Sequence, residues 1–193
     1  LGLDSLLLTQ LVGAIGRQVA LQLAAMGIPR MQLIDHDTVE AVNLGPQAYF
    51  EEDIGRSKVH ATADLCHRLN SGLDVETIHG RFKRNQAIGD VLFCCVDSIE
   101  ARAAIWRSIG KRVWFWADGR MLADTIRVLV ACDEVGRKHY PTTLFPESEA
   151  LPGSCTATNT FDSAEIAAGL MVHCPVEGLA VGKRLAWYSQ RAG

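Results

Sequence analysis

The residues best suited to chemistry in this chain are two glycines between an apolar run and a helical one, carboxylates at the ends of other apolar runs, and a lysine at the head of an amphipathic stretch. The glycines, Gly13 and Gly16, lie in "LTQLVGAIGRQVALQLAAMG". Gly13 lets the backbone come close to a phosphate or ribose, and Gly16 lets a helix pack tightly on a strand. The helix that starts there offers free N–H groups and a partial positive charge to an anion. Asp35 closes the run "MQLID" 19 residues after Gly16, the spacing of a carboxylate that accepts hydrogen bonds from ribose hydroxyls. Leu11 stands where the first glycine of a full G-x-G-x-x-G signature would be, so the turn carries extra bulk. These residues point to a bound nucleotide and leave mononucleotide and dinucleotide both open.

Such residues need a scaffold, and the hydrophobic pattern supplies one. Apolar runs at Ser5–Val12, Met31–Asp35, Asp74–His79, Asp90–Val96 and Val113–Asp118 read as strands. "DVLFCCV" is apolar throughout, as a strand buried on both faces of a parallel sheet should be. Thr125–Cys132 alternates in part and reads as an antiparallel strand near an edge. Amphipathic segments read as helices over Arg17–Met26, with Gly27 as C-cap, Ser57–Leu69, Ser98–Arg112 and Ser163–His173. Asp162 and Glu165 have the spacing of a capping box at the start of the last. Thr38–Gly55 and the long Pro/Ser/Thr/Gly-rich stretch Asp133–Phe161 read as loops. The succession predicts an α/β fold with a doubly wound, Rossmann-like sheet, mostly parallel with an antiparallel edge portion. Ligands of such sheets bind beyond the carboxyl ends of the strands, so Gly13, Gly16, Asp35 and Asp97 are expected to converge.

Composition narrows the classes. With 193 residues, 48% of them hydrophobic, the chain reads as one domain able to bury a core. A net charge of −3 and the lack of any basic run argue against a DNA-binding surface. No apolar stretch reaches the length of a membrane span. The six cysteines include no C-x-x-C pair, which argues against a structural zinc site, and most lie in apolar runs, as reduced thiols of a cytoplasmic protein do. The start at Leu1 and the end in "QRAG" read as those of a fragment lacking both natural termini.

The stretch "LIDHDTVEAVNLGPQAYFEEDIGRSKVHATADLCHRLN" carries more. It resembles the ThiF/MoeB/ubiquitin-activating (E1-like) superfamily, in which D-x-D-x-V is followed by N-L-x-R-Q and then by G-x-x-K at the head of a helix that ends in Asn. Here these are Asp35, Asp37 and Val39, then Asn43, Leu44 and Gln47, then Gly55, Lys58 and Asn70. "CVDSIEAR" resembles the strand-end D-N-x-x-x-R, placing Asp97 and Arg102.

The resemblance implies an adenylyltransferase that binds ATP and Mg²⁺ and adenylates a carboxylate, commonly the C-terminal glycine of a ubiquitin-like or sulfur-carrier protein, with release of pyrophosphate. It implies Gly13, Gly16, Asp35, Asp37, Asn43, Gln47 and Lys58 at the nucleotide, with Lys58 on the phosphates, Asn43 near the α-phosphate and Asp35 on the ribose. Asp97 would hold Mg²⁺, and Asp37 would orient the loop that follows it. It implies a homodimer, and one relative that acts on a modified tRNA base keeps tRNA among the allowed partners. Cys155, in "LPGSCTAT", stands where some relatives use a loop cysteine to form a thioester or persulfide.

Pro46 takes the arginine position of N-L-x-R-Q, removing one phosphate-clamping cation, with Arg17 and Arg120 as candidates to compensate. Two other readings stand beside this one. A non-catalytic binding or dimerisation module would explain Leu11 and Pro46. An NAD-dependent dehydrogenase would use the glycine turn and Asp35 but leave Lys58 without a task.

Overall fold

Apolar runs that need cover on both faces find it in a single sheet. The computed structural model describes residues 8–11, 13–122, 125–146 and 160–181. Its strands are β1 (Leu8–Leu11), β2 (Arg30–Asp35), β3 (Asp74–His79), β4 (Val91–Cys94), β5 (Phe115–Leu122) and β6 (Thr125–Ala131). Its helices are α1 (Ala14–Ala25), α2 (Leu44–Gln47), α3 (Lys58–Leu69), α4 (Ile99–Ile109), α5 (Glu134–His139) and α6 (Thr160–Val181). The strand order is β3-β2-β1-β4-β5-β6, with all pairs parallel except β5 and β6. The fold is the expected Rossmann-like one with an antiparallel edge.

Strand alternation divides the core into two layers. Met31, Leu33, Val91, Phe93, Phe115 and Ala117 face α1, α3 and α6 through Val19, Leu23, Val59, Cys66, Ala167 and Met171. Ile34, Leu92, Cys94 and Trp116 face α4 and the turn at Tyr140 through Ile105 and Ile109. Burying a large apolar side chain contributes about 1.5–3 kcal/mol, so these two layers dominate the stability of the sheet. No helix among the described residues is long and apolar enough to cross a membrane.

From β1 the chain winds outward to β2 and β3, and from β4 it winds the other way to β5 and β6. The reversal falls between β1 and β4, whose registers pair Leu11 with Cys94, while Leu11 also pairs with Ile34 of β2. A crevice at the carboxyl ends of these strands is the ligand position of this topology.

Several local expectations shift. Helix α1 starts at Ala14 rather than Arg17, its C-cap is Met26, and Gly27 lies one residue beyond with φ +79°, a conformation that favours glycine. Strand β5 runs on to Leu122 because its second half pairs with β6, Leu122 opposite Thr125. The segment Thr38–Gly55 is not plain loop: it holds 3-10 turns at Ala41–Asn43 and Glu51–Asp53 around α2. Side chains hold these turns, Asn43 Oδ1 accepting from Glu40 N–H and Asp53 Oδ2 from Phe50 N–H.

The stretch from Asp133 likewise begins with structure. Asp133 Oδ1 accepts from Gly136 N–H and caps α5, and a 3-10 turn follows over Tyr140–Thr143. Helix α6 begins at Thr160, so Asp162 lies within its first turn instead of capping it. Cys66, Cys94, Cys95 and Cys132 are free thiols, the first three buried, and burial pushes the Cys66 thiol up to about 12. Cys155 lies outside the described residues.

Candidate functional site

Gly13 is the N-cap of α1 and sits at the strand reversal. A Cβ there would lie 2.7 Å from the carbonyl oxygen of Cys95, just past β4, and 3.9 Å from Asp97 Oδ1. The turn after β1 is thus pressed against the end of β4, and only the absence of a side chain permits it. Gly13→Ala should therefore cost about 1–3 kcal/mol in urea denaturation, since the atom it meets is backbone and must move. At Gly119 a Cβ would meet Met171 Sδ at 2.5 Å and the buried Ile15 side chain at 3.2 and 3.3 Å, so that position too has no room for a side chain. A Gly13→Ala protein as stable as the wild type would refute this packing. Gly16 is buried inside α1.

Ala14, Cys95, Asp97 and Arg102 line a small cavity of about 30 Å³ at this point, roomy enough for a water molecule. Arg102, buried on α4, donates to the carbonyl oxygens of Cys94 and Val96 and to Asp118 Oδ1, which braces the backbone leading to Asp97. Asp118, fully buried on β5, also accepts from Arg120 at 2.8 Å and from the Tyr140 hydroxyl at 2.9 Å. Sequence reasoning missed Asp118, although it closes an apolar run as Asp35 does. A larger groove, of about 940 Å³, lies between α4 and Tyr140–Pro146 and contains none of the expected site residues.

On the other side of β1, Asp35 ends β2 and is 7% exposed. Its Oδ1 accepts from Asp37 N–H at 2.9 Å, while its Oδ2 is buried with no partner among the described residues. Burial pushes this carboxyl up to about 6, from a usual value of 3.8. The folded chain therefore holds this proton more tightly than the unfolded one, and stability falls as pH rises from about 4 to about 6. A displacement of that size corresponds to about 3 kcal/mol. In the ligand-free protein, Asp35→Asn should be the more stable form at pH 7, by up to that amount, with the difference vanishing near pH 4. Urea denaturation across this range checks it, and a difference independent of pH would refute the assignment.

Asp37 holds Lys58 twice. Its Oδ2 accepts from Lys58 Nζ at 3.0 Å, and its carbonyl oxygen accepts from the Lys58 backbone N–H at 3.0 Å. The Lys58 side chain is 8% exposed and that of Asp37 45%. His36 lies between the two carboxylates, 3.7 Å from Asp35 and 3.3 Å from Asp37, so Asp35, His36 and Asp37 form a compact trio of ligand-type groups that does not include Asp97.

Asn43 and Gln47 are both buried, on the turn before α2 and within it. The Asn43 side-chain Oδ1 is used in capping its own turn, whereas Gln47 Oε1 has no partner among the described residues. Neither candidate replacement for the missing arginine is free to touch a phosphate. Arg17 is fully buried and bonded to Thr62 and Ala48. Arg120 is engaged by Asp118 and Thr143. The structure thus gathers Gly13 with Asp97 and Asp35 with Asp37 and Lys58, all at the carboxyl ends of neighbouring strands.

A profile of the ThiF family matches residues 12–173. The chain belongs to the ThiF family. Among curated relatives of this ThiF-family domain, adenylyltransferase and sulfurtransferase MOCS3-1 of Zea mays is 34% identical over 99 residues, 48% of this chain and 21% of that protein. Ubiquitin-like modifier-activating enzyme 5 of Caenorhabditis elegans is 25% identical over 142 residues, 65% of this chain and 34% of that protein. The chain therefore spans between about a fifth and a third of these relatives. In fold it is similar to the crystal structure of PaaA, with a TM-score of 0.71 and 19% identity over 92% of this chain and 65% of that one. It is similar also to E. coli MccB with ATP, with a TM-score of 0.65 and 20% identity over 92% of this chain and 56% of that one.

Proposed function

We propose that this ThiF-family domain binds ATP and transfers its adenylyl group to a carboxylate, that of the C-terminal glycine of a ubiquitin-like or sulfur-carrier protein. The observation that supports this reading is that Gly13 lies against the end of β4 beside Asp97, while Asp35 ends the neighbouring strand β2 next to the Asp37–Lys58 pair, both at the reversal of the sheet. Ribose hydroxyls would donate to Asp35 Oδ2, which lacks a partner. The phosphates would meet the open N–H groups of α1. Lys58 spends one of its three donors on Asp37, leaving others for phosphate oxygens.

A substrate carboxylate oxygen would attack the α-phosphorus, forming a C–O–P bond as the bond to the β-phosphate oxygen breaks and pyrophosphate leaves. Such a step is limited by positioning and by charge at the phosphates. Asp97, a carboxylate beside a cavity of ion or water size, suits Mg²⁺, which binds through one or two carboxylates plus substrate phosphates and offsets phosphate charge. Assembly as a homodimer belongs to the same proposal and is tested by analytical ultracentrifugation.

ATP–pyrophosphate exchange in the presence of Mg²⁺ and a panel of ubiquitin-like and sulfur-carrier proteins tests the reading. Exchange with one of them is the expected result. The internal commitment of Arg17 and Arg120, together with Pro46, favours a second reading, a module that binds ATP without activating a carboxylate. Tight ATP binding without exchange would select that one, and binding of NAD but not ATP would overturn both.

A further inference from the structure

Arg17 follows Gly16 directly in the first turn of α1, and its side chain is fully buried. Its Nη1 donates to Thr62 Oγ1 on α3 at 3.1 Å and its Nη2 to the carbonyl oxygen of Ala48 at 2.9 Å. The guanidinium carbon lies 3.8 Å from the centre of the Tyr49 ring, and the Tyr49 hydroxyl is 3.2 Å from Thr62 Oγ1. Arg17 Nε is buried without a partner among the described residues. Among those residues no carboxylate lies within ion-pair distance of Arg17. Asp53, the acid that acts on it electrostatically, is itself bonded to Arg56 at 3.0 Å.

A desolvated cation with no counter-ion is costly, and arginine does not escape the cost by losing its proton. This one also sits in the first turn of a 12-residue helix, where the helix dipole is positive as well. Two positive sources placed together in the interior favour an anion at the adjoining end of α1. The neutral partners of Arg17 also tie α1 to two other parts of the candidate site, Ala48 just after α2, held at φ +56°, and Thr62 on the helix that begins with Lys58.

We propose that Arg17 is the buried countercharge of the bound phosphates, a positioning residue that touches no ligand and acts through its field and through the elements it ties together. The proposal rests on the reading of this site as one for ATP. It predicts that the protein selects for the triphosphate rather than for the nucleoside alone.

Titration calorimetry of the full chain with ATP and with adenosine tests it. Arg17→Met should weaken ATP about tenfold, the scale of one charge interaction in a partly desolvated site, and change adenosine less than about twofold. Arg17→Lys, which keeps the charge, should retain most of the wild-type preference. An Arg17→Met protein with the wild-type ratio of the two affinities, or with equal losses for both ligands, would overturn the proposal while leaving the site reading intact. A wild-type chain that does not distinguish ATP from adenosine would overturn both. A variant-independent measurement is thermal unfolding of the wild type with pyrophosphate at matched ionic strength. The melting temperature should rise, and no rise would overturn the proposal even where Arg17→Met fails to fold.

Discussion

Replacing Lys58 by alanine should lower ATP–pyrophosphate exchange about 10²–10³-fold, the usual loss when a preorganised charge donor is removed from a phosphate or oxyanion site. The fold should survive. Lys58 is the first residue of α3, and its loss leaves Asp37, whose side chain is 45% exposed, free to be solvated. The stability cost should be about 1 kcal/mol or less, as for other partly exposed ion pairs. Lys58→Arg should not restore activity. The Asp37 carboxylate holds a slim ammonium on a side chain only 8% exposed, and a guanidinium is wider and aims its donors differently. Asp37→Asn is the informative companion. It keeps the size and removes the charge that aims Lys58, so KM for ATP should rise more than kcat falls. Lys58→Ala exchange above a tenth of the wild-type rate would place the phosphates elsewhere.

Asp118→Ala should be the most destabilising single substitution in the sheet, by about 3–5 kcal/mol. The residue is fully buried and accepts from Arg102, Arg120 and Tyr140. Removing it strands two arginines, 5% and 11% exposed, with no carboxylate between them. Domains of ordinary stability have about 5–15 kcal/mol in all, so the variant should be largely unfolded at modest urea concentrations. What remains folded should also lose activity, because Arg102 braces the carbonyls that lead into Asp97. Urea denaturation of Asp118→Ala beside Tyr140→Phe checks this. A loss of less than about 1 kcal/mol for Asp118→Ala would mean that the charges are balanced elsewhere.

Much of the architecture was legible from local pattern. β3 falls on the expected residues, and "VLFC" is buried throughout as a strand covered on both faces must be. The short helical turns between β2 and α3 were not legible, because side-chain caps at Asn43 and Asp53 hold them and no periodicity develops in three or four residues. The same holds for α5, whose signal is a single Asp133 cap. Asp35 ends β2, Lys58 begins α3 and Asp97 lies in the turn between β4 and α4, positions that the topology brings to one edge; their assignment to a nucleotide rests on the family resemblance.

The sequence by itself determined the alternation of strands and helices, the antiparallel last strand and the identity of the charged residues at the carboxyl edge. Periodicity and the right-handed winding of parallel units are local properties, so they can be read locally. Only the tertiary structure decided what those charges do to one another. Asp37 grips Lys58 across 21 residues, and Arg17 reaches Ala48 and Thr62 across 31 and 45. Asp118, fully buried, gathers two arginines and a tyrosine from three elements. The strength of such pairs depends on distance and burial, which no residue carries in its own identity. That is why the glycine turn in "VGAIG" could be read locally, while the burial of Arg17 just behind it and its ties to Ala48 and Thr62 came into view only when the chain was folded.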